Sequence, residues 1–346
     1  MSDVARQLGL SRTTVSLVLK GDGDRYHINP GTQRRILDKV AELGYRPNYF
    51  ARALNLKRTG TIGVVLPEVF ETYMAELIHG IEDVLYPAGH TLMLSTSRFD
   101  PDLERRSLEQ LAHRGVDGIL LVFTCPFGRP RRRAPHVAEL LRGPLPTVLV
   151  DRYHPAVDSH RVVQDDEGGA RAAVERLLQQ GCRRIGYVGF DLDITSLAAR
   201  FRGYRSALRA AGLRVDPRRV VLLRERNPAA TDLRDALAAL FRARARPDGL
   251  LVTTNGLGLK TARLLEGQGL VVGEDVHLAR FGSDPEHFTS GMWLVEQPHL
   301  EMGRAAARLL QRVLESGGAR ATRAPFEHVV LPPTLRWSGP DRGGNA

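Results

Sequence analysis

The chain has 346 residues, 42% of them hydrophobic, a size and apolar content that suit a small module joined to one or two larger globular ones. No run of about 18 apolar residues and no basic-then-apolar leader is present, so membrane insertion and export are not expected, and the cytoplasm is the expected compartment. The formal charge is +10 and uneven: residues 1–58 hold eleven Lys/Arg against five Asp/Glu, a net +6, which leaves +4 for the rest and places an expected polyanionic partner at the start of the chain.

The first elements read as helix, turn, helix, loop, helix. Val4, Ala5 and Leu8 form a one-faced apolar stripe, Gly9 is expected to end it, and Ser11 can N-cap a second helix carrying Val15, Val18 and Leu19. After the polar loop GDGDRYHINPGT, Ile36, Val40 and Leu43 at i, i+4 and i+7 mark a third helix that Gly44 closes. Arg12, Thr13, Thr14 and Ser16 sit near the N-terminal end of the second helix. There an arginine can read guanine with two hydrogen bonds, and hydroxyls can meet base edges or phosphates. A three-helix bundle with an ordinary polar face is the alternative on spacing alone.

From Gly60 the pattern becomes strands alternating with amphipathic helices. The apolar runs IGVVL (62–66), TLMLS (91–95), GILLV (118–122), TVLV (147–150), IGYVG (185–189), GLLVT (249–253) and VHLARF (276–281) predict buried parallel strands. The fold class expected is α/β, a doubly wound parallel sheet in two lobes, with the chain crossing between them around 151–157, 284–297 and near 320. No internal repeat is evident in the sequence.

The strings DVARQLGLSRTTVSLVLKG, TQRRILDKVAELGYRPNYFARAL and RTGTIGVVLPEV together resemble the LacI/GalR (lactose repressor) family of transcription regulators, most specifically over residues 3–66. The resemblance implies a helix-turn-helix domain over 1–46, a hinge helix and linker over 47–59, a two-lobed periplasmic-binding-protein-like effector and dimerisation domain over 60–338, and a tail over 339–346. It implies a homodimer or tetramer on a palindromic operator in double-stranded DNA, controlled by a small-molecule effector. The DNA-binding set it implies is Ser2, Ser11, Arg12, Thr13, Thr14, Ser16, Leu17 and Lys20, with Asn48, Ala51 and Leu54 in the hinge. Leu54 takes the position of the family's minor-groove wedge, and Pro47 can start a short helix at Asn48. In the lobes it implies a ligand set of Tyr73, Met74, Asp151, Arg200, Asn255 and Gly282.

Several positions depart from the family pattern. Leu17 replaces an arginine and offers an apolar contact to a thymine methyl, Lys20 replaces an asparagine, and the loop from Asp22 to Asn29 is longer than usual. The chain opens two or three residues short of the family pattern, so Ser2 stands in for part of a phosphate clamp. Asn255-Gly256 and Phe281-Gly282-Ser283 each lack a carboxylate that commonly grips sugar hydroxyls. The expectation is therefore a phosphorylated or otherwise anionic effector rather than a plain neutral sugar, or a regulator without an effector.

Enzyme chemistry finds no support. There is no nucleotide-binding G-x-G-x-x-G after a strand, no P-loop, no nucleophile elbow and no H-E-x-x-H, and the eleven histidines lack metal-ligand spacing, so no cofactor or metal is expected. Asp165-Asp166 reads as a pair of helix caps. Cys125 and Cys182 lie far apart and read as reduced thiols. The arginine run PFGRPRRRAP at 126–135 reads as an exposed loop. The rivals from other classes are a transporter's solute-binding protein, opposed by the basic N-terminal module, and a Rossmann-type enzyme, opposed by the missing nucleotide fingerprint.

Overall fold

The computed structural model describes residues 1–44, 58–69, 72–124, 134–191, 194–224, 230–242, 246–282, 291–316 and 325–339. The chain divides into two compact units, Met1–Thr59 and Gly60–Ala346.

The first unit holds α1 (Ser2–Leu8), α2 (Arg12–Leu19) and α3 (Pro30–Glu42). Their apolar stripes meet at Val4, Ala5, Val15, Val18 and Ile36, with Leu8, Leu19 and Val40 packed around them. Gly9 ends α1 at φ 65°, a left-handed conformation that costs glycine little. The Ser11 side chain caps α2, accepting the Thr14 N–H at 3.0 Å, and Asn29 Oδ1 accepts the Gly31 N–H at 2.8 Å at the start of α3. The long loop is pinned to α3 by Gln33, whose Nε2 donates to Asp24 Oδ1 and to the Ile28 carbonyl, both at 2.8 Å. Leu43 departs from its expected place: it lies at the C-cap of α3 and is exposed, so the stripe ends at Val40.

In the second unit all seven apolar runs are strands. The first lobe runs β1 (Thr61–Leu66), α4 (Thr72–Leu85), β2 (Thr91–Thr96), α5 (Pro101–His113), β3 (Gly118–Leu121), α6 (Pro135–Arg142), β4 (Thr147–Val150) and β5 (His160–Gln164). Next come α7 (Asp166–Gln179), β6 (Ile185–Phe190), α8 (Thr195–Ala210), β7 (Val220–Leu223), α9 (Ala230–Arg242), β8 (Gly249–Val252), α10 (Asn255–Glu266), β9 (His277–Phe281) and β10 (Met292–Glu296). Last are α11 (His299–Glu315), β11 (His328–Leu331) and β12 (Thr334–Trp337). The two sheets are ordered β11-β5-β4-β3-β1-β2 and β12-β10-β9-β8-β6-β7, so one topology occurs twice although the sequence shows no repeat. All pairings are parallel except β10 with β12.

Each lobe lends the other a helix. α11 follows β10 of the second sheet but packs on α4 and the strands of the first, while α7 follows β5 of the first sheet and packs on α8 and the second. The α4–α11 contact is close because glycines face backbone: a Cβ on Gly80 would run into the Leu300 carbonyl, and one on Gly303 into that of Leu77. The crossings fall at Asp165, at Gln297–Pro298 and at Pro332–Pro333. The second is the end of the expected 284–297 stretch; the other two are corrections. Residues 151–157 only join β4 to β5 within the first lobe, and the third crossing lies beyond 320 because β11 still belongs to the first sheet. No helix among the described residues is long and apolar enough to cross a membrane.

Candidate functional site

On α2 the helical repeat separates two faces. Val15 and Val18 turn into the core, and Arg12, Thr13, Ser16, Leu17 and Lys20, spaced i, i+1, i+4, i+5 and i+8, share the other side. Arg12, Thr13 and Lys20 are exposed, while Ser16 and Leu17 are half-buried. Ser11 and Thr14 do something else: their hydroxyls lie 2.8 Å apart and the first caps the helix, so these two set the start of α2 instead of extending its outer face. Ser2 is exposed in the first turn of α1. Asn48, Ala51 and Leu54 lie outside the described residues, as do Cys125, Ser283 and residues 126–133 of the arginine run.

The second unit brings together polar side chains at the carboxyl ends of its strands, where open α/β sheets bind ligands. Arg200 on α8 is buried. Its Nε donates to Asp166 Oδ1 at 2.7 Å, a terminal nitrogen donates to the Thr253 carbonyl, and its guanidinium carbon lies 3.9 Å from the centre of the Phe281 ring. Gln164 Nε2 donates to the same Asp166 oxygen at 2.5 Å. Gln164 ends β5 and Asp166 begins α7, so this cluster sits on the first crossing between lobes. Only Asp165 acts as the expected helix cap, accepting the Gly168 N–H at 2.8 Å. Asp166 is instead a buried ion-pair partner, with its carboxyl pushed up to about 6: burial is the largest cause, Arg200 opposes it, and the charge of Asp151 adds to it. Within the described residues the Thr253 hydroxyl and the Gln164 carbonyl oxygen are buried without a hydrogen-bond partner. Buried polar atoms left this way mark a place where water or a ligand atom completes the site.

The remaining expected ligand residues fall as follows. Asp151 is held at φ 68° at the end of β4 and pairs with Arg152, 3.0 Å away. Asn255 opens α10, and its Oδ1 accepts from Arg280, a fully buried arginine on β9. Gly282 has φ 127° and lies so close that a Cβ there would stand 2.5 Å from that of Asn255. Tyr73 is half-buried, with its ring centre 5.0 Å from that of His299. Met74 is corrected: it is fully buried in the core of the first lobe with Leu77 and Ile81, so it presents no surface to a ligand. Sequence reasoning missed Gln164, Thr253 and Arg280; each lies in or beside an apolar run, where a strand pattern hides a polar role.

Within the described residues no group of three or more His, Cys, Asp or Glu is placed to hold a metal ion. Residues 1–48 match the family model of bacterial regulatory proteins, lacI family, and residues 174–338 match that of the periplasmic binding protein-like domain. A helix-turn-helix module followed by a two-lobed periplasmic-binding-protein-like domain is thus the class of molecule. The catabolite control protein A of Priestia megaterium is 30% identical over 331 residues, covering 95% of this chain and 96% of the relative. The transcriptional repressor PurR of Aliivibrio salmonicida is 26% identical over 95% of this chain and 97% of its own. A transcriptional regulator CelR–cellobiose complex aligns with TM-score 0.68 at 28% identity, over 96% and 97% of the two chains. The lac repressor dimer bound to operator and an anti-inducer aligns with TM-score 0.79 at 20% identity, over 96% of each chain, and supports the fold. The chain belongs to the lacI family of bacterial regulatory proteins: it is a DNA-binding transcription regulator and not an enzyme.

Proposed function

We propose that the chain is a repressor that binds a palindromic operator as a homodimer and responds to a small polar or anionic metabolite held between its lobes. The observation that carries the DNA-binding half is the outer face of α2, where Arg12 and Lys20 are exposed and neither side chain has a hydrogen bond or ion pair among the described residues. Two such helices, one from each copy, would enter successive major grooves about 34 Å apart. Residues 47–59 are assigned to the hinge, 60–338 to the sensing domain and 339–346 to a tail, with Asn48, Ala51 and Leu54 reaching the minor groove at the operator centre. Pairing of copies is supported by apolar side chains on two open sheet edges, Leu94 on β2 and Leu222 on β7, 47% and 45% exposed. This reading requires the cytoplasm, where the chromosome lies, and needs no cofactor, metal or membrane.

The buried guanidinium of Arg200 and the missing carboxylates at Gly256 and Gly282 support an effector rich in oxygen acceptors, a phosphorylated or carboxylated metabolite. A ligand acts only through its different affinities for the two lobe arrangements, so inducer and corepressor use the same site. A second reading, a neutral saccharide, is favoured by the CelR relative described with cellobiose.

Mobility shifts on a duplex selected from random sequence test the proposal. Arg12→Ala should flatten discrimination at one operator position, a loss of about 1–3 kcal/mol there, whereas Lys20→Ala should weaken all duplexes alike and lower the salt slope by about one. Unchanged sequence preference in Arg12→Ala removes α2 as the reading helix.

A further inference from the structure

Arg280 is an unusual residue for its place. It lies on β9 between Ala279 and Phe281, and among the described residues it is the largest fully buried side chain, 1% exposed. Its Nε points at Met292 Sδ, 3.2 Å away, and a terminal nitrogen donates to Asn255 Oδ1. Room for it comes from α10. A Cβ on Gly258 would stand 2.5 Å from Arg280 Cδ and 2.9 Å from its Cβ, so only a bare backbone lets the arginine lie there. Gly258 follows Asn255 by three positions on the same helix, which places the arginine directly beneath that asparagine.

An asparagine amide presents an acceptor on one end and donors on the other, and nothing intrinsic fixes which end faces a ligand. A guanidinium has donors only. Because Arg280 can offer Asn255 nothing but N–H groups, the amide must turn its oxygen to Arg280 and its nitrogen away. Asn255 Nδ2 has no hydrogen-bond partner among the described residues, and the side chain is only partly buried. We propose that Arg280 is a positioning residue: it locks Asn255 with its NH2 group toward the cleft, so that Asn255 and Arg200 both offer donors and the second lobe selects a carboxylate or phosphate over a hydroxyl. A neutral sugar hydroxyl can serve either orientation of an amide; an oxyanion accepts from only one.

This rests on the reading that Asn255 and Arg200 line the effector cleft, and the test separates the two. Calorimetric titrations of the full chain use a hexose 6-phosphate, a hexonate and the parent neutral hexose. The unmodified chain should bind one of the two anions and prefer it to the hexose. Arg280→Met, which keeps bulk and removes the donors, should weaken that anion about 10-fold or more while leaving the hexose unchanged. Asn255→Ala should weaken it similarly, the double variant should lose no more than the larger single loss, and Arg280→Lys, still a donor, should retain most of the binding. If Arg280→Met does not fold, Gly258→Ala displaces the arginine without removing its charge and should give the same change in the ratio of anion to hexose affinity.

Anion binding lost in Asn255→Ala but kept within twofold in Arg280→Met, or in Gly258→Ala where that variant replaces it, overturns the role of Arg280 alone. So do losses that multiply in the double variant. Binding of neither anion, or anion binding indifferent to Asn255→Ala, overturns the cleft reading itself. The carboxylate and phosphate arms identify which oxyanion the donors were built for.

Discussion

At Asp166 two opposing effects meet. Burial disfavours its charge more than the Arg200 guanidinium favours it, so the carboxyl titrates near 6 when folded instead of near 3.8. Between those values the folded chain holds a proton that the unfolded chain has released. The stability tied to this group is therefore greatest below the ordinary carboxylate range and declines as pH rises through about 6. Urea unfolding from pH 4 to 7 should show that decline, and Asp166→Asn should flatten it; a slope unaltered by the substitution would assign it to another group. The same buried pair makes Arg200→Ala a poor probe of the proposed effector binding, because it strands a carboxylate in the interior as well as removing the proposed donor.

Among the elements, the start of α2 turns on a single side-chain atom. Ser11 Oγ accepts the Thr14 N–H and shares a hydrogen bond with the Thr14 hydroxyl, so Ser11→Ala should cost the first unit about 1 kcal/mol of stability. Thermal unfolding of the full chain reads that loss, and a transition unmoved by the substitution would show that the cap is dispensable. The helices of this unit were legible because the apolar residues recur at one helical face and Ser, Asn and Gly punctuate them. Seven strands were legible for a similar reason, as unbroken apolar runs. Five strands escaped notice: HRVVQ of β5 carries charge at its start, HVVL of β11 and TLRW of β12 are half-exposed, VVLL of β7 is a four-residue edge strand, and MWLVE of β10 falls in the stretch expected to cross between lobes. Among the proposed cleft residues, Arg200, Asp151 and Asn255 were named through resemblance, not pattern. Arg280 could not be, since a charged residue on a strand normally faces water and the glycine that admits it lies in a different element. Met74 failed for a geometric reason: neighbours on a helix point about 100° apart, and with Tyr73 half-exposed the next side chain turned into the core.

Across the whole second unit, the helices that the lobes lend one another hold the architecture together. Gly80→Ala places a methyl group against the Leu300 carbonyl and 3.0 Å from the Arg304 nitrogen, both backbone, so α4 and α11 must move apart. A loss of about 1–3 kcal/mol in urea unfolding is expected. Gly256→Ala is the control of opposite sign, because a Cβ there meets nothing within 4 Å and alanine favours a helix. Equal effects from the two would mean that the close approach of α4 and α11 carries no weight.

The twofold lending of helices and strands also sets an order of completion during synthesis. α3 ends at Glu42, whereas the first lobe lacks its outer strand until Leu331 has emerged and the second until Trp337. At about 5–20 residues per second the interval is on the order of tens of seconds. Throughout it the growing polypeptide has all three helices of its DNA-reading module and no finished sheet. A stop codon anywhere between α3 and α11 therefore spares that module and disables both lobes together.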